Sequence, residues 1–534
     1  MNPSRLFNPS APPAAAILAI DLGTSGPKVA LMDLAGRLLG MESEPTPVIF
    51  LPGGGVEQDP ALWWRAIVTA TRRLLSRGLI PVERILALGV TAQWSGTVAV
   101  DRAGQPLMNA IIWMDDRGAA YAQAMTDGPI KIEGYGAHKM WTWVRMTGGI
   151  PGRSGKDPVA HIRLVQDRFP EVYARTHKFL EPKDFLNLKL TGQFAAGTDS
   201  IVLHWVTDNR DIHNIHYSDR LLGMAGLERE KLPDLFPATH ILGPILPDVA
   251  AELGLRAHVQ VGMGTPDVQS AALGSGAVAD GAGHVYVGTS GWLSCFVPYK
   301  KTDLFHNMAS LPSPLPGRYY LINEQEMAGG CLAWLKDSLF FADDALATGS
   351  PGPDVYPRFD RLAETAPPGS HGLIFTPWLN GERSPVEDHH LRGGFHNLSI
   401  SHNRGDWVRA VYEGVALNAR WLLGAVERFV GGPFPSLNLI GGGAKGEIWC
   451  QIYADILDRP MHRVAAPILA NARGVALLTA VGMGELGVEQ IGEVVEIDRI
   501  FEPTPAHRRL YDERFRVFQE IYKRNRRINA RLNR

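Results

Sequence analysis

Short apolar runs alternate with amphipathic stretches along most of the chain. Apolar and polar positions alternate over 17–32 and 36–41, which predicts a β-hairpin with its turn at 33–36. A helix is predicted to begin at 59–60, because Asp can cap a helix and Pro suits its first position. The apolar stripe of this helix consists of Trp63, Ile67, Ala70 and Leu74. A buried strand is predicted at 85–90, and the alternation favours α/β architecture.

The second half of the chain repeats this alternation. Apolar residues recur at helical spacing between 408 and 426, which predicts a buried amphipathic helix. Residues 437–440 form a predicted strand that leads into the glycine-rich run 441–446 and a further helix. A last helix is predicted over 506–534, with aromatic residues on one face.

The length and the position of Gly and Pro predict how the chain is divided. At 534 residues it is too long for one core, and two domains of roughly 250 residues are expected. Gly and Pro are frequent over 244–262, where we place a hinge. The predicted division is a disordered N-terminal lead (1–16), an N-terminal domain (17–258), a C-terminal domain (259–505) and a C-terminal helix (506–534).

Composition and charge narrow the functional class. Hydrophobic residues make up 45% of the chain and charged residues 20%, as in soluble globular proteins. A net charge of −2 provides no overall field for nucleic acid or a membrane surface. The apolar run 14–20 is too short to span a bilayer and lacks a signal-peptide cleavage site. Three separated cysteines fit a reduced compartment. We expect a soluble cytoplasmic protein with no nucleic-acid or membrane partner.

Two similar turns lie about half a chain length apart. An apolar run from Ile17 ends in Gly23-Thr24-Ser25-Gly26, and another from His284 ends in Gly288-Thr289-Ser290-Gly291. Such turns expose backbone N–H groups and small hydroxyls, which suit a phosphate. Asp21 adds a carboxylate that could bind a metal, and Lys28 could reach a phosphate oxygen. The alternative is a turn that uses these residues for steric reasons only.

Asp267 and Arg383 are further candidates. Asp267 follows the run Val261-Gly-Met-Gly264-Thr-Pro, so a strand delivers it near the expected cleft. There it could act as the base that takes a proton from a hydroxyl, although it could also simply cap the helix that follows. Arg383 lies in the loop Gly381-Glu-Arg-Ser-Pro385 and could contact anionic groups. A solvated Glu–Arg pair is the alternative there.

The run 441–446 matches the dinucleotide fingerprint Gly-x-Gly-x-x-Gly between a strand and a helix. A dehydrogenase would need an acid at the end of the following strand, yet 461–465 runs into Ala466-Pro467. We therefore interpret 441–446 as a support for a nucleotide base or ribose. A P-loop motif does not occur in the sequence. The acidic and histidine run 387–390 is interpreted as a polar loop, and the basic tail as a solvated helix end.

These residues together resemble the FGGY family of carbohydrate kinases, and the xylulokinases most closely among its members. The resemblance extends over about 17–525 and is carried by several motifs. They are Ile20-Asp-Leu-Gly-Thr-Ser-Gly26, Glu57-Gln-Asp-Pro-x-x-Trp-Trp64, Trp113-x-Asp-x-Arg117, Pro182-Lys-Asp-Phe185, Gly288-Thr-Ser-Gly291, Gly381-Glu-Arg-Ser-Pro385, Arg409-Ala-Val-Tyr-Glu-Gly-Val-Ala416 and Gly441-Gly-Gly-Ala-Lys445.

The resemblance implies two ribonuclease H-like domains of the actin and sugar-kinase type, which close over ATP and a sugar. The N-terminal domain then carries the sugar and phosphate side, and the C-terminal domain the nucleotide side. Asp267 matches the general base, and Asp21 matches the acid that organises Mg²⁺ and the γ-phosphate. Asp21 and Asp267 are thus the implied metal-site residues. The implied cofactor-binding residues are Gly23, Thr24, Ser25, Lys28, Gly288, Thr289, Ser290, Arg383, Gly441, Gly442, Gly443, Ala444 and Lys445.

The sugar side departs from the xylulokinase pattern. Xylulokinases typically have Gln-Met-His-Gly where this chain has Gln93-Trp94-Ser95-Gly96, so a hydroxyl replaces the sugar-facing imidazole. Asp116 replaces a usual glycine, and additional residues near 130–157 could form a lid or an interface. The expected substrate-binding residues are Gln93, Trp94, Ser95, Asp115, Asp116, Arg117 and Asp267.

The predicted activity is ATP-dependent phosphorylation of a primary hydroxyl, with D-xylulose as substrate. Ribulose, erythritol or another polyol, and gluconate are the alternatives within the family. An actin-like ATPase without sugar transfer is the alternative from a different class. The expected cofactors are ATP and Mg²⁺, and a homodimer is the default assembly.

Overall fold

The computed structural model describes residues 14–344, 352 and 355–533. It is a mixed α/β structure with one large sheet in each half, as predicted. Most of the predicted N-terminal lead lies outside the described residues, and Ala16 already belongs to the first strand.

The first large sheet has six strands in the order β5-β6-β4-β1-β2-β3. They are β1 (Ala16–Gly23), β2 (Gly26–Asp33), β3 (Leu38–Ser43), β4 (Ile85–Ala92), β5 (Ile241–Pro244) and β6 (Gln260–Pro266). Strand β4 runs parallel to both β1 and β6, whereas β2, β3 and β5 are antiparallel to their neighbours. The predicted hairpin is therefore three strands, because the first Gly-Thr-Ser-Gly turn divides 17–32 in two.

The second large sheet has eight strands in the order β9-β10-β11-β8-β7-β12-β13-β14. They are β7 (Gly283–Val287), β8 (Gly291–Val297), β9 (Thr302–Asp303), β10 (Met308–Pro312), β11 (Tyr319–Ile322), β12 (Leu437–Ile440), β13 (Met461–Val464) and β14 (Ile497–Phe501). Strand β12 runs parallel to β7 and β13. Strands β7 and β8 form a hairpin around the second Gly-Thr-Ser-Gly turn, so the two turns occupy similar places in their sheets.

Sixteen α-helices lie in the part of the chain that the structure describes. They are α1 (Pro60–Ser76), α2 (Ala119–Thr126), α3 (Ala137–Thr147), α4 (Pro158–Arg168), α5 (Pro170–Arg175), α6 (Pro182–Thr191), α7 (Asp219–Ala225), α8 (Pro247–Leu253), α9 (Asp267–Gly274), α10 (Gly330–Trp334), α11 (Val355–Glu364), α12 (Arg404–Val430), α13 (Glu447–Leu457), α14 (Ala470–Gly482), α15 (Ile491–Val494) and α16 (Arg508–Leu532). None of these helices is both long and apolar enough to cross a membrane.

Short strands complete the structure in small sheets. One has three strands, Ile49–Leu51, Gly55–Gln58 and Ala110–Ile111. The two-stranded pairs are Val98–Val100 with Lys178–Leu180, Lys131–Ile132 with Tyr135–Gly136, Ala195–Gly197 with Asp234–Phe236, Thr207–Asp208 with His216–Tyr217, and Ile374–Thr376 with Gly394–His396.

The predicted helices of the two halves are confirmed where their patterns were strongest. Asp59 caps α1 by accepting a hydrogen bond from the Ala61 N–H at 2.8 Å. The stripe at 408–426 lies within α12, whose apolar face joins the core of the second half. The predicted C-terminal helix is α16, which buries Tyr511 and Phe518 against that core.

Helices α9 and α14 pack against each other between the two large sheets. Gly274 and Gly474 allow a close crossing, because a Cβ on Gly474 would lie 1.8 Å from the carbonyl O of Ser270. Helix α14 also covers an apolar face of the first sheet that includes Ile17 and Met32. Although α14 comes from the C-terminal half, it completes the core of the N-terminal sheet.

The expected hinge at 244–262 does not coincide with the change from one sheet to the other. That segment contains α8 and the beginning of β6, and β6 is hydrogen-bonded to β4 in the first sheet. The chain enters the second sheet only after α9, at β7. Gly and Pro mark a loop on either side of α8 here, and such loops also occur within a domain.

Candidate active site

Three predicted site residues lie together at one edge of the first sheet. Because β1, β4 and β6 are parallel, their carboxyl ends meet at the same edge, where ligands bind in open α/β sheets. Leu22 is paired with Ala92, and Ala92 with Pro266. The residues that follow, Gly23, Gln93 and Asp267, therefore lie side by side.

The first Gly-Thr-Ser-Gly turn is held by three side chains. Trp113 Nε1 donates to Thr24 Oγ1 at 3.0 Å, and Thr24 Oγ1 donates to Gln93 Oε1 at 3.2 Å. Gln58 Nε2 donates to the carbonyl O of Thr24 at 2.9 Å. Gln93 Nε2 in turn donates to Gln58 Oε1 at 2.7 Å. Gln93 thus supports the turn, and Gln58 is a site residue that the sequence analysis quoted in a motif but did not assign.

Asp21, Lys28 and Asp267 supply the charges beside this turn. Lys28 Nζ lies 3.2 Å from Asp21 Oδ2, and this carboxylate raises the pKa of Lys28. Burial, and next the negative charge of Asp21, raise the pKa of Asp267 to about 7, while a hydrogen bond from the Val268 N–H opposes the shift. A carboxyl group with a pKa near neutrality is suited to proton transfer.

Both Gly-Thr-Ser-Gly turns present unused backbone donors. Within the described residues, the N–H groups of Thr24, Ser25, Thr289 and Ser290 donate to no protein acceptor. The carbonyl O of Gly288 accepts from the Gly329 N–H at 2.7 Å, and that of Thr289 accepts from the Ala328 N–H at 2.8 Å. The second turn is therefore fixed through its carbonyl groups, and its N–H groups are left for an anion.

The run 441–446 lies next to the second turn. Strands β7 and β12 are parallel, with Tyr286 paired with Ile440, so Gly441 follows β12 beside the end of β7. Gly441 has φ of 94°, and a Cβ there would lie 2.6 Å from the Val287 carbonyl O. Gly442 and Lys445 are exposed, Gly443 is half-buried, and Ala444 is buried. The nucleotide-support prediction thus falls on a loop that adjoins a phosphate-type turn.

Arg383 is held by two glutamates that the sequence analysis missed. Its Nε lies 2.5 Å from Glu326 Oε2, and its Nη1 pairs with Glu324. Glu324 also contributes to the raised pKa of Asp267, so this cluster faces the candidate base. Neither glutamate belongs to a recognisable motif, and only tertiary structure brings them to Arg383. In this conformation Arg383 is engaged by carboxylates and not free for a phosphate.

The sugar-side residues after β4 are engaged by the protein. Trp94 Nε1 donates to the Ser200 carbonyl O at 2.8 Å. Ser95 Oγ donates to the Lys156 carbonyl O at 2.9 Å, so its hydroxyl hydrogen is already used. These contacts bring Lys156, from the additional segment near 130–157, and Ser200 next to the residues that follow β4.

Asp115 and Arg117 are bound to each other inside the protein, whereas Asp116 lies at its surface. Asp115 is fully buried, and its carboxylate accepts hydrogen bonds from the Val56 N–H and from Arg117. Arg117 also pairs with Glu57 at 2.7 Å. Protein donors thus engage the Asp115 carboxylate on both oxygens, and the sugar contact expected from the sequence stays a prediction. Asp116 is exposed.

A buried ion pair lies under the site, in α6. Lys183 Nζ donates to the Met263 carbonyl O of β6 at 3.1 Å and pairs with Asp184. Burial raises the pKa of Asp184, and the charge of Lys183 opposes this shift. The pair therefore links α6 to β6, the strand that directly precedes Asp267.

The donor set fits a Mg²⁺ ion that is shared with phosphate groups. Within the described residues, no cluster of three or more acidic, His or Cys side chains could hold a metal ion. Asp21 and Asp267 are two neighbouring carboxylates, and the charge of Asp21 contributes to the raised pKa of Asp267. Mg²⁺ is commonly bound by one or two carboxylates together with substrate phosphates.

Comparisons with known proteins agree with this geometry. A model of the FGGY family of carbohydrate kinases, N-terminal domain, matches residues 16–274, and the C-terminal domain model of that family matches 284–483. The interval between the two matches follows α9, where the chain passes to the second sheet.

Individual relatives are similar over most of the chain. Xylulose kinase from Staphylococcus epidermidis is 28% identical and covers 97% of this chain and 98% of its own length. Gluconokinase from Bacillus subtilis is 26% identical and covers 83% of each. The crystal structure of xylulose kinase from Rhodospirillum rubrum has a TM-score of 0.81 at 25% identity, over 96% of this chain and 100% of that chain.

Proposed function

Because this chain belongs to the FGGY family of carbohydrate kinases, we propose that it transfers the γ-phosphate of ATP to a primary hydroxyl of D-xylulose. The observation that carries this proposal is the position of Asp267, level with the first Gly-Thr-Ser-Gly turn and with a pKa of about 7. A base and a phosphate-binding turn are thereby side by side. Family membership favours sugar transfer over an actin-like ATPase.

In the proposed reaction, Asp267 accepts the proton of the sugar hydroxyl. The oxygen forms a bond to the γ-phosphorus as the bond from that phosphorus to the bridging oxygen of ADP breaks. The free N–H groups of Thr24, Ser25, Thr289 and Ser290 donate to the phosphate oxygens. Mg²⁺, when bound near Asp21, would neutralise phosphate charge. The proton then passes from Asp267 to solvent.

The charges around Asp267 favour a neutral sugar. Asp21 and Glu324 both raise its pKa, and the nearby cations Lys28 and Arg383 are already paired with carboxylates. An aldonate such as gluconate would bring another negative charge into this region, which costs free energy. Ribulose and erythritol remain neutral alternatives. The similarity to gluconokinase makes gluconate the acidic candidate that must be tested.

A substrate panel tests this proposal. We expect ATP-dependent phosphorylation of D-xylulose with a kcat/KM roughly tenfold or more above that of gluconate. The measurement is ADP formation in a coupled assay with D-xylulose, ribulose, erythritol and gluconate, with the phosphorylated product identified by mass spectrometry. Preference for gluconate would contradict the charge argument. ATP hydrolysis that no sugar changes would contradict the kinase proposal.

The variant Gly441→Ala is expected to weaken ATP binding roughly tenfold or more. Its Cβ would lie 2.6 Å from the Val287 carbonyl O, and the backbone conformation at φ of 94° strains any residue with a side chain. ATP affinity is measured by calorimetry. Gly432→Ala is the matched control, because no atom lies within 4 Å of the added Cβ. Equal affinity in both variants would argue against a nucleotide role for 441–446.

The cytoplasmic location and the homodimer predicted from the sequence are further parts of this proposal. All three cysteines are free and buried, which agrees with a reduced compartment.

A further inference from the structure

The segment before α4 brings an additional carboxylate to the sugar side of the candidate active site. Ser95 follows β4 and donates its hydroxyl hydrogen to the Lys156 carbonyl O at 2.9 Å. The next residue, Asp157, is half-buried, and because it follows Lys156 directly it lies close to Ser95, which is expected to contact the sugar. It belongs to the additional segment near 130–157, for which the sequence analysis proposes a lid or an interface.

The side chain of Asp157 does not perform the usual task of its position. It is the N-cap residue of α4, yet it accepts no hydrogen bond from the N–H groups of that helix. Instead, Asp157 Oδ2 accepts from the Gly152 N–H at 2.6 Å and from Trp205 Nε1 at 2.9 Å. Trp205 is fixed in turn, because its carbonyl O accepts from Trp143 Nε1 at 2.9 Å. The carboxylate is thus held in one orientation by two donors on the same oxygen.

The other oxygen, Oδ1, accepts from no donor within the described residues. Burial raises the pKa of Asp157 to about 6, and the positive charge of Arg383 from the second half of the chain opposes this shift. The group is therefore mostly ionised at neutral pH. The region before α4 also touches the second half directly, because Thr302 Oγ1 donates to the Gly148 carbonyl O at 2.6 Å. Asp157 therefore belongs to a segment that adjoins the second half of the chain.

We propose that Asp157 binds a secondary hydroxyl of the substrate through Oδ1. This inference rests on the proposed kinase function. The ligand class is a neutral polyhydroxylated sugar, because a carboxylate accepts hydrogen bonds from hydroxyl groups and repels an acidic sugar. Ser95 cannot donate to the sugar while its hydrogen is bound by Lys156. Asp157 is then a determinant of substrate specificity, whereas Asp267 carries out the proton transfer.

The test compares Asp157→Asn with the wild-type protein. Asn can still accept both hydrogen bonds through one oxygen, but it presents an amide NH₂ group in place of Oδ1. We expect KM for the preferred neutral sugar to rise roughly ten- to hundredfold, with kcat and KM for ATP little changed. Asp127→Asn is the control, because Asp127 lies in the same region, is exposed and forms an ion pair with Lys131 at 2.6 Å. Asp157→Ser is a second variant, and thermal unfolding checks that each one folds.

Calorimetry of sugar binding separates this inference from the proposed function. Phosphorylation of a neutral sugar by the wild-type protein supports the kinase proposal. If Asp157→Asn and Asp157→Ser then leave KM and the affinity for that sugar unchanged, only the role of Asp157 is overturned. If the wild-type protein binds a sugar without phosphorylating it, the kinase proposal is overturned, and the loss of affinity in the variants still decides the role of Asp157. Absence of binding to D-xylulose, ribulose, erythritol and gluconate would overturn both.

Discussion

Replacement of Asp267 by Asn is expected to lower kcat by roughly 10²–10⁴-fold while the protein stays folded. The amide cannot accept the proton of the sugar hydroxyl, which is the contribution of a general base. The side-chain oxygen of Asn can still accept the Val268 N–H, which Asp267 Oδ1 binds at 2.8 Å. The thermal unfolding midpoint and ATP affinity should therefore remain near their wild-type values. Steady-state kinetics and calorimetry measure these quantities.

The control for this variant is Asp248→Asn, since Asp248 also lies in the first turn of its helix and is exposed.

The pH dependence of kcat/KM provides a second test of Asp267. Because the pKa of Asp267 is about 7, the base is protonated at lower pH, and kcat/KM should rise with pH and level off above about 8. The Asn variant should lack this rise. If it retained both the activity and the rise, Asp267 would not be the base.

Replacement of Lys183 by Met is expected to destabilise the fold by roughly 3–5 kcal/mol. It leaves the fully buried Asp184 without its cation, and an unpaired buried charge is costly. The hydrogen bond from Lys183 Nζ to the Met263 carbonyl O is also lost. Urea unfolding measures the change in the free energy of unfolding, and activity falls at temperatures where the wild-type protein is stable.

Lys189→Met is the matched control, because Lys189 lies in the same helix, α6, and is partly exposed. Its contact with the Trp64 ring, with Nζ 5.7 Å from the centroid, contributes only about 0.5–1 kcal/mol. Similar losses of stability in the two variants would contradict the assignment of the buried pair.

The sequence predicted those parts of the site that depend on local structure. Gly23, Thr24, Gly288 and Thr289 lie where apolar strands end in Gly-Thr-Ser-Gly, and the repetition of this pattern in both halves favoured a phosphate role over a purely steric turn. Family resemblance added the two-domain sugar-kinase fold and the kinase activity, which are both confirmed. Asp267 could be placed at a strand end, but its roles as base and as first residue of a helix could not be separated by spacing alone.

The parts that were missed depend on contacts between distant segments. Glu324 and Glu326 meet Arg383 only in the folded chain, and Lys156 reaches Ser95 through the additional segment. Asp115 is likewise buried, with its carboxylate bound by the Val56 N–H and by Arg117, and a motif cannot indicate burial. The hinge was placed at 244–262, before the chain leaves the first sheet, because Gly and Pro mark loops of every kind, whether or not a domain ends there.

The position of α14 has a consequence for synthesis of the protein on the ribosome. This helix covers Ile17, Met32 and neighbouring residues of the first sheet, yet it is translated much later than that sheet. At ~5–20 residues per second, the chain between 274 and 470 takes roughly 10–40 s to synthesise. During that time the emerging N-terminal half carries an uncovered apolar face, which is the kind of surface that molecular chaperones bind.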